Sequence, residues 1–148
     1  VLEFLDSAYK DGQPYRLFIR PHPIIDFQNA LKLYKPRYMR YELDKGPLSR
    51  SLGLSDLVIY ASSTVSLEAV SMGIPAVFIA VNDVLNADPL FSMSFLKWSC
   101  NDPGKLKNLI EVISKMDNEV LADLQRKAGE FGRLYCVPAT EDSMGVFI

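Results

Sequence analysis

The chain has 148 residues, 49% of them hydrophobic and 23% charged, with a net charge of −2 and a single histidine. That length suits one domain with one well-buried core, and the charge balance excludes a duplex-binding protein, which needs clustered Lys and Arg to neutralise phosphates. No apolar run reaches the roughly 18 residues needed to cross a bilayer, and Glu3 and Asp6 interrupt the opening apolar residues where a secretory signal would lie.

Val1 to Lys10 places Val1, Leu2, Leu5, Ala8 and Tyr9 on one helical face, closed by Asp11-Gly12. Tyr15 to Ile19 reads as a strand and runs into Arg20-Pro21-His22-Pro23, where two prolines must end any ladder. Asp26 is a plausible cap for a helix carrying Phe27, Ala30, Leu31 and Tyr34, ending before Pro36. Tyr38 to Leu43 is a second strand, Asp44-Lys45-Gly46-Pro47 a turn, and Leu48 to Leu54 a short helix. Asp56 to Ala61 is almost continuously apolar, as expected of a strand covered on both faces. Ser62-Ser63-Thr64 follows at once, then a helix from Val65 to Met72 stopped by Gly73. Pro75 to Val81 is the next buried strand, Asn82 to Met93 is loop-like, and Leu96 to Cys100 is one more strand. Asp102 caps and Pro103 opens a helix to about Met116; Asp117-Asn118 breaks it, and Glu119 to about Tyr135 is the last helix. The tail from Cys136 has no clear pattern. Strands alternating with helices at βαβ spacing predict an α/β fold with a doubly wound, Rossmann-like parallel sheet.

In such a sheet, ligands bind beyond the carboxyl ends of the strands. Two polar clusters fall at those ends: Arg20-Pro21-His22-Pro23 after the first strand and Ser62-Ser63-Thr64 after the third. A strand, three small hydroxyl residues and then a helix aims free N–H groups and hydroxyls at an anion, aided by the helix dipole. The competing reading is a plain helix cap by Ser62 or Ser63. His22, rigidly held between prolines, can donate to a phosphate oxygen, a ribose or a base edge and can carry charge near neutrality; the alternative is a surface-loop histidine. Arg20 suits a phosphate or a structural ion pair. Glu68, six residues after Ser62, can reach ribose hydroxyls across the helix start or remain a solvated helix glutamate. A Ser–His–acid hydrolase is disfavoured because the G-x-S-x-G turn is absent, and neither paired cysteines nor an Asp-rich loop suggests a metal.

The run from Asp56 to Val77 resembles the C-terminal donor-binding domain of GT-B fold enzymes, in the pattern strand, Ser62-Ser63, Glu68-Ala69, Gly73-Ile74-Pro75, strand. This pattern is shared by glycosyltransferases, UDP-N-acetylglucosamine 2-epimerases and polyol-phosphate transferases. Paired with His22-Pro23, it is most similar to the HP and SS motifs of bacterial sialyltransferases and related capsule enzymes. The resemblance implies that residues 1–148 form a single nucleotide-sugar-binding domain, one half of a GT-B fold. On this reading the chain is a piece of a longer protein, without its first strand and its N-terminal acceptor domain. It implies that His22, Pro23, Ser62 and Ser63 hold phosphate or nucleotide, with Arg20 beside them, that Thr64 adds a helix-start donor, and that Glu68 takes the ribose. The expected partner is a CMP-, CDP- or UDP-linked sugar used in surface or capsular polysaccharide synthesis. No nucleic acid and no cofactor is expected, the setting is cytoplasmic, and membrane association belongs at most to the parent protein's periphery. The catalytic base is expected in the missing half, so this piece should bind without turnover. Two alternatives stand beside transfer. One is epimerisation or hydrolysis of the nucleotide sugar, disfavoured because the loop Val81 to Asn86 lacks arginine. The other is a non-catalytic interaction module.

Overall fold

A computed structural model describes residues 1–80 and 88–135. The protein is mixed α/β, with six helices and five short parallel strands among those residues. The helices are α1 (Leu2–Ala8), α2 (Phe27–Leu33), α3 (Leu48–Gly53), α4 (Val65–Ser71), α5 (Pro103–Ser114) and α6 (Asn118–Tyr135), and the strands are β1 (Phe18–Ile19), β2 (Glu42–Leu43), β3 (Val58–Tyr60), β4 (Ala76–Ile79) and β5 (Lys97–Cys100). Every predicted element is found, and all strands but the last are shorter than expected by two residues or more.

Local chemistry explains the boundaries. Asp26 accepts from the N–H groups of Gln28 (2.9 Å) and Asn29 (3.3 Å), and Asp102 accepts from Gly104 N at 2.9 Å, so both caps fix their helix starts as the sequence suggests. Asp117, read as a break, also caps α6, accepting from Glu119 N at 2.8 Å. Gly73 ends α4 at φ +78°, a conformation that costs a side chain dearly. Leu96 takes φ +52° just before β5, which prevents the strand from starting there.

The strands form two sheets rather than one. β1 pairs with β2 (Phe18 opposite Glu42), while β4 lies between β3 and β5 (Val77 opposite Ile59 and Trp98). The expectation of one continuous sheet therefore fails among the described residues. The shortness of β2 has a visible cause: the N–H groups of Arg37, Tyr38 and Met39 donate to the Asp6 carboxylate, and that of Arg40 donates to Gln13 Oε1. A strand whose N–H groups are already committed to side chains cannot extend a ladder. Tyr38 to Leu43 consequently contributes two paired residues instead of six.

Side-chain alternation then builds three layers around β4. Val77 and Ile79 point into a cluster with Phe4 and Leu5 of α1, Tyr9 just after it, and Leu106, Ile110 and Ile113 of α5. Ala76 faces the other way, into a cluster with Tyr60, Val70 of α4 and Ala128 of α6. A strand covered on both faces reads as an apolar run, which is what Ala76–Ile79 shows. The β1–β2 pair joins this body through apolar side chains: Leu17, Ile19 and Tyr41 pack on the first cluster. None of the helices among the described residues is long and apolar enough to cross a membrane.

Candidate functional site

β3 ends at Tyr60, and Ala61 to Thr64 turn the chain directly into α4. Ser62 and Thr64 are exposed and Ser63 is half-buried. Ser63 Oγ accepts weakly from Val65 N at 3.4 Å, so one of the three hydroxyls does serve as a local cap. The backbone N–H groups of Ser62, Ser63 and Thr64 donate to no other described residue. Glu68 is exposed one turn further on, on the same short helix.

Beneath this turn lies a buried polar network that sequence reasoning missed. Tyr60 Oη donates to Asp88 Oδ1 at 2.7 Å, and Leu90 N donates to the same oxygen at 2.9 Å. Lys97 forms an ion pair with Asp88 Oδ2 and donates to the Leu90 carbonyl at 3.2 Å. Ser66, fully buried on α4, donates from Oγ to the Ser63 carbonyl at 2.9 Å. Burial, followed by the hydrogen bond to and the negative charge of Asp88, drives the Tyr60 phenol far above its ordinary value, so it stays a neutral donor. A buried charge is tolerated only when paired and hydrogen-bonded, and Asp88 meets both conditions. The network anchors the end of β3 at Tyr60, while Ser66 holds the Ser63 carbonyl from α4. A lysine within an apolar strand was the available signal: Lys97 interrupts Phe95-Leu96 and Trp98.

The first cluster sits on the other sheet. His22 is exposed after β1, its carbonyl accepting from Ile25 N at 2.9 Å and its Nδ1 accepting from Ile24 N at 3.3 Å. In the neutral ring that bond leaves the proton on Nε2, which is available as a donor. Pro23 is exposed in the same turn. Arg20 is already engaged, donating to Asp44 Oδ2 at 2.8 Å and to the Gly46 carbonyl at 2.7 Å. Its guanidinium thus closes the turn after β2, the structural alternative left open by the sequence. The Ser51 hydroxyl, then Arg20, then Gly46 N hold the Asp44 carboxyl below its ordinary value.

Since β1 and β3 belong to different sheets, no ladder brings His22 and Ser62-Ser63-Thr64 to one edge, and the premise that they end two strands of one sheet is corrected. What links them is the shared apolar cluster, where Ile19 of β1 and Ile59 of β3 both pack. The loop whose composition bears on epimerisation, Val81 to Asn86, lies outside the described residues, as does Cys136. Among the described residues no group of three His, Cys, Asp or Glu side chains is placed to hold a metal. In comparisons with family models, curated proteins and solved structures, nothing matches this chain.

Proposed function

We propose that the chain is the donor-binding half of a Rossmann-like, GT-B type glycosyltransferase, and that the Ser62-Ser63-Thr64 turn receives the phosphate of a nucleotide-activated sugar. The observation that carries this reading is the direct passage of a parallel strand, β3, into a three-hydroxyl turn, exposed at Ser62 and Thr64, whose N–H groups donate to no other described residue. Such a turn offers donors where negative charge would build on a departing phosphate, and the buried Tyr60–Asp88–Lys97 network anchors the end of β3 that leads into it. Glu68 supplies a carboxylate for a ribose diol, and His22 Nε2 a further donor. Arg20, engaged by Asp44, contributes shape to the β1–β2 end rather than a free charge. The parent's acceptor half supplies the attacking group.

The test is an NMR titration with cytidine and uridine nucleotides, followed at residues 20–24 and 61–68. Both segments should shift with one nucleotide class. A Ser62→Ala, Ser63→Ala double variant should bind that nucleotide about tenfold more weakly, a loss of about 1.4 kcal/mol for two hydrogen bonds to charged oxygens. An unchanged titration curve for the double variant would move the site elsewhere. Absence of any shift at millimolar nucleotide would favour a non-catalytic interaction module.

A further inference from the structure

Two adjoining surface clefts, of about 620 and 340 Å³, share Arg37 and Tyr38 as walls. Lys35 lines the first, and Lys10 and Arg40 line the second. From Phe27 to Tyr41 the chain carries Lys32, Lys35, Arg37 and Arg40 and no acidic residue at all. None of Lys10, Lys35, Arg37 and Arg40 forms an ion pair among the described residues, whereas Arg16, Arg20, Lys97, Lys105, Lys115, Arg126 and Lys127 all do. Asp6, which lines the first cleft, is buried and keeps its negative charge while accepting from Tyr34 Oη and from the N–H groups of Arg37, Tyr38 and Met39, and Glu3 lies near enough to act on the Tyr34 hydroxyl. Four exposed cations, without an ion pair among the described residues, thus line two neighbouring clefts in a chain whose net charge is −2.

Like charges held together without partners repel, and an anion relieves that repulsion. Arginine forks favour phosphoryl oxygens, which they can meet with paired donors. Two clefts meeting at Arg37, with cations on both sides, fit a ligand bearing more than one phosphoryl group. Gly12 and Gln13 precede β1, and Tyr38 and Arg40 precede β2, whereas His22 follows β1. These strands are parallel, so the clefts lie at their amino ends, opposite the His22 turn.

We infer that the Lys10–Lys35–Arg37–Arg40 clefts bind a soluble ligand carrying two or more phosphoryl groups, at a site separate from and independent of the Ser62-Ser63-Thr64 turn. Because the cations are divided between two clefts that share Arg37 and Tyr38, a free polyanion able to follow both fits better than a flat lipid surface. Titration of the full chain with inorganic tripolyphosphate tests this. Binding should be stronger than that of orthophosphate and should weaken steeply between low and physiological salt. The double variant Arg37→Ala, Arg40→Ala should lose at least tenfold in affinity, with its far-UV circular dichroism and unfolding midpoint checked to show that it folds. Arg133→Ala, which removes an exposed cation from α6, should leave binding unchanged. So should Ser62→Ala with Ser63→Ala, and this arm separates the inference from the nucleotide reading. Three results would overturn the inference: no binding at millimolar tripolyphosphate, equal binding by the Arg37, Arg40 double variant, or binding only to vesicles containing phosphatidylserine. The last result would identify a membrane surface as the partner.

Discussion

The Asp6 carboxylate is removed from water on α1, beside Leu5 and three residues before Tyr9, and its oxygens organise a segment some 30 positions away. Burial alone pushes its carboxyl up. The N–H groups of Arg37, Met39 and Tyr38, with the Tyr34 hydroxyl, outweigh that and hold it below its ordinary value. The folded state therefore binds this proton more weakly than the unfolded chain does. The resulting stability is fully present above the unfolded value of about 3.9 and is lost as pH falls through the folded one. Asp6→Asn should cost about 2 kcal/mol near neutral pH, because the amide leaves at least one buried N–H facing a donor. In urea unfolding the gap between wild type and variant should narrow as the solution is acidified below about pH 4. A gap that stays constant down to pH 2 would show that the carboxylate charge is not what stabilises the segment. The sequence hinted at this residue only by setting an acid against the apolar arc of Leu2, Leu5 and Tyr9. Its partners lie too far along the chain to be read from it.

At the scale of elements, α4 and α6 make the closest helix contact, and two glycines of α6 separate packing from propensity. A Cβ on Gly132 would stand 2.8 Å from Ser71 Cβ and 3.1 Å from its Cα, inside van der Waals contact with a backbone. A Cβ on Gly129 meets nothing within 4 Å. Gly132→Ala should therefore destabilise by about 1–3 kcal/mol through overpacking, while Gly129→Ala should gain about 0.5–1 kcal/mol from lower unfolded-state entropy and better helix propensity. Thermal unfolding of the two variants should move the midpoint in opposite directions. Both glycines look alike in the sequence, since each merely interrupts a helical pattern. The caps Asp26 and Asp102 were legible because a cap is a local bargain between a side chain and N–H groups two or three residues away.

Across the whole molecule, β4 is the element that couples the layers. Ile79 is 1% exposed and packs with α1 and α5, while Trp98 on the neighbouring strand touches both main clusters. Ile79→Ala should cost about 2–5 kcal/mol. Tryptophan fluorescence and helical circular dichroism should shift together to lower urea, with the slope unchanged, as expected of one cooperative unit. If the two probes separate, the layers unfold independently. Val112→Ala, at a position 62% exposed on α5, should stay within about 0.5 kcal/mol of wild type.

The sequence by itself determined the alternation of helices and strands, the burial of β4 on both faces and the exposed hydroxyl turn after β3. These follow from periodicity, apolar runs and short-range turn chemistry, all carried by neighbouring residues. Only the tertiary structure decided that β1 and β2 form their own sheet, and that β2 is short because Asp6 and Gln13 reach from distant segments to take the N–H groups that a longer ladder needs. It also decided that Arg20 is engaged by Asp44, that Tyr60, Asp88 and Lys97 meet behind the Ser62-Ser63-Thr64 turn, and that four cations converge on one pair of clefts. Each of these brings together polar groups distant in sequence, decided by where the packed layers place them once the apolar core has closed.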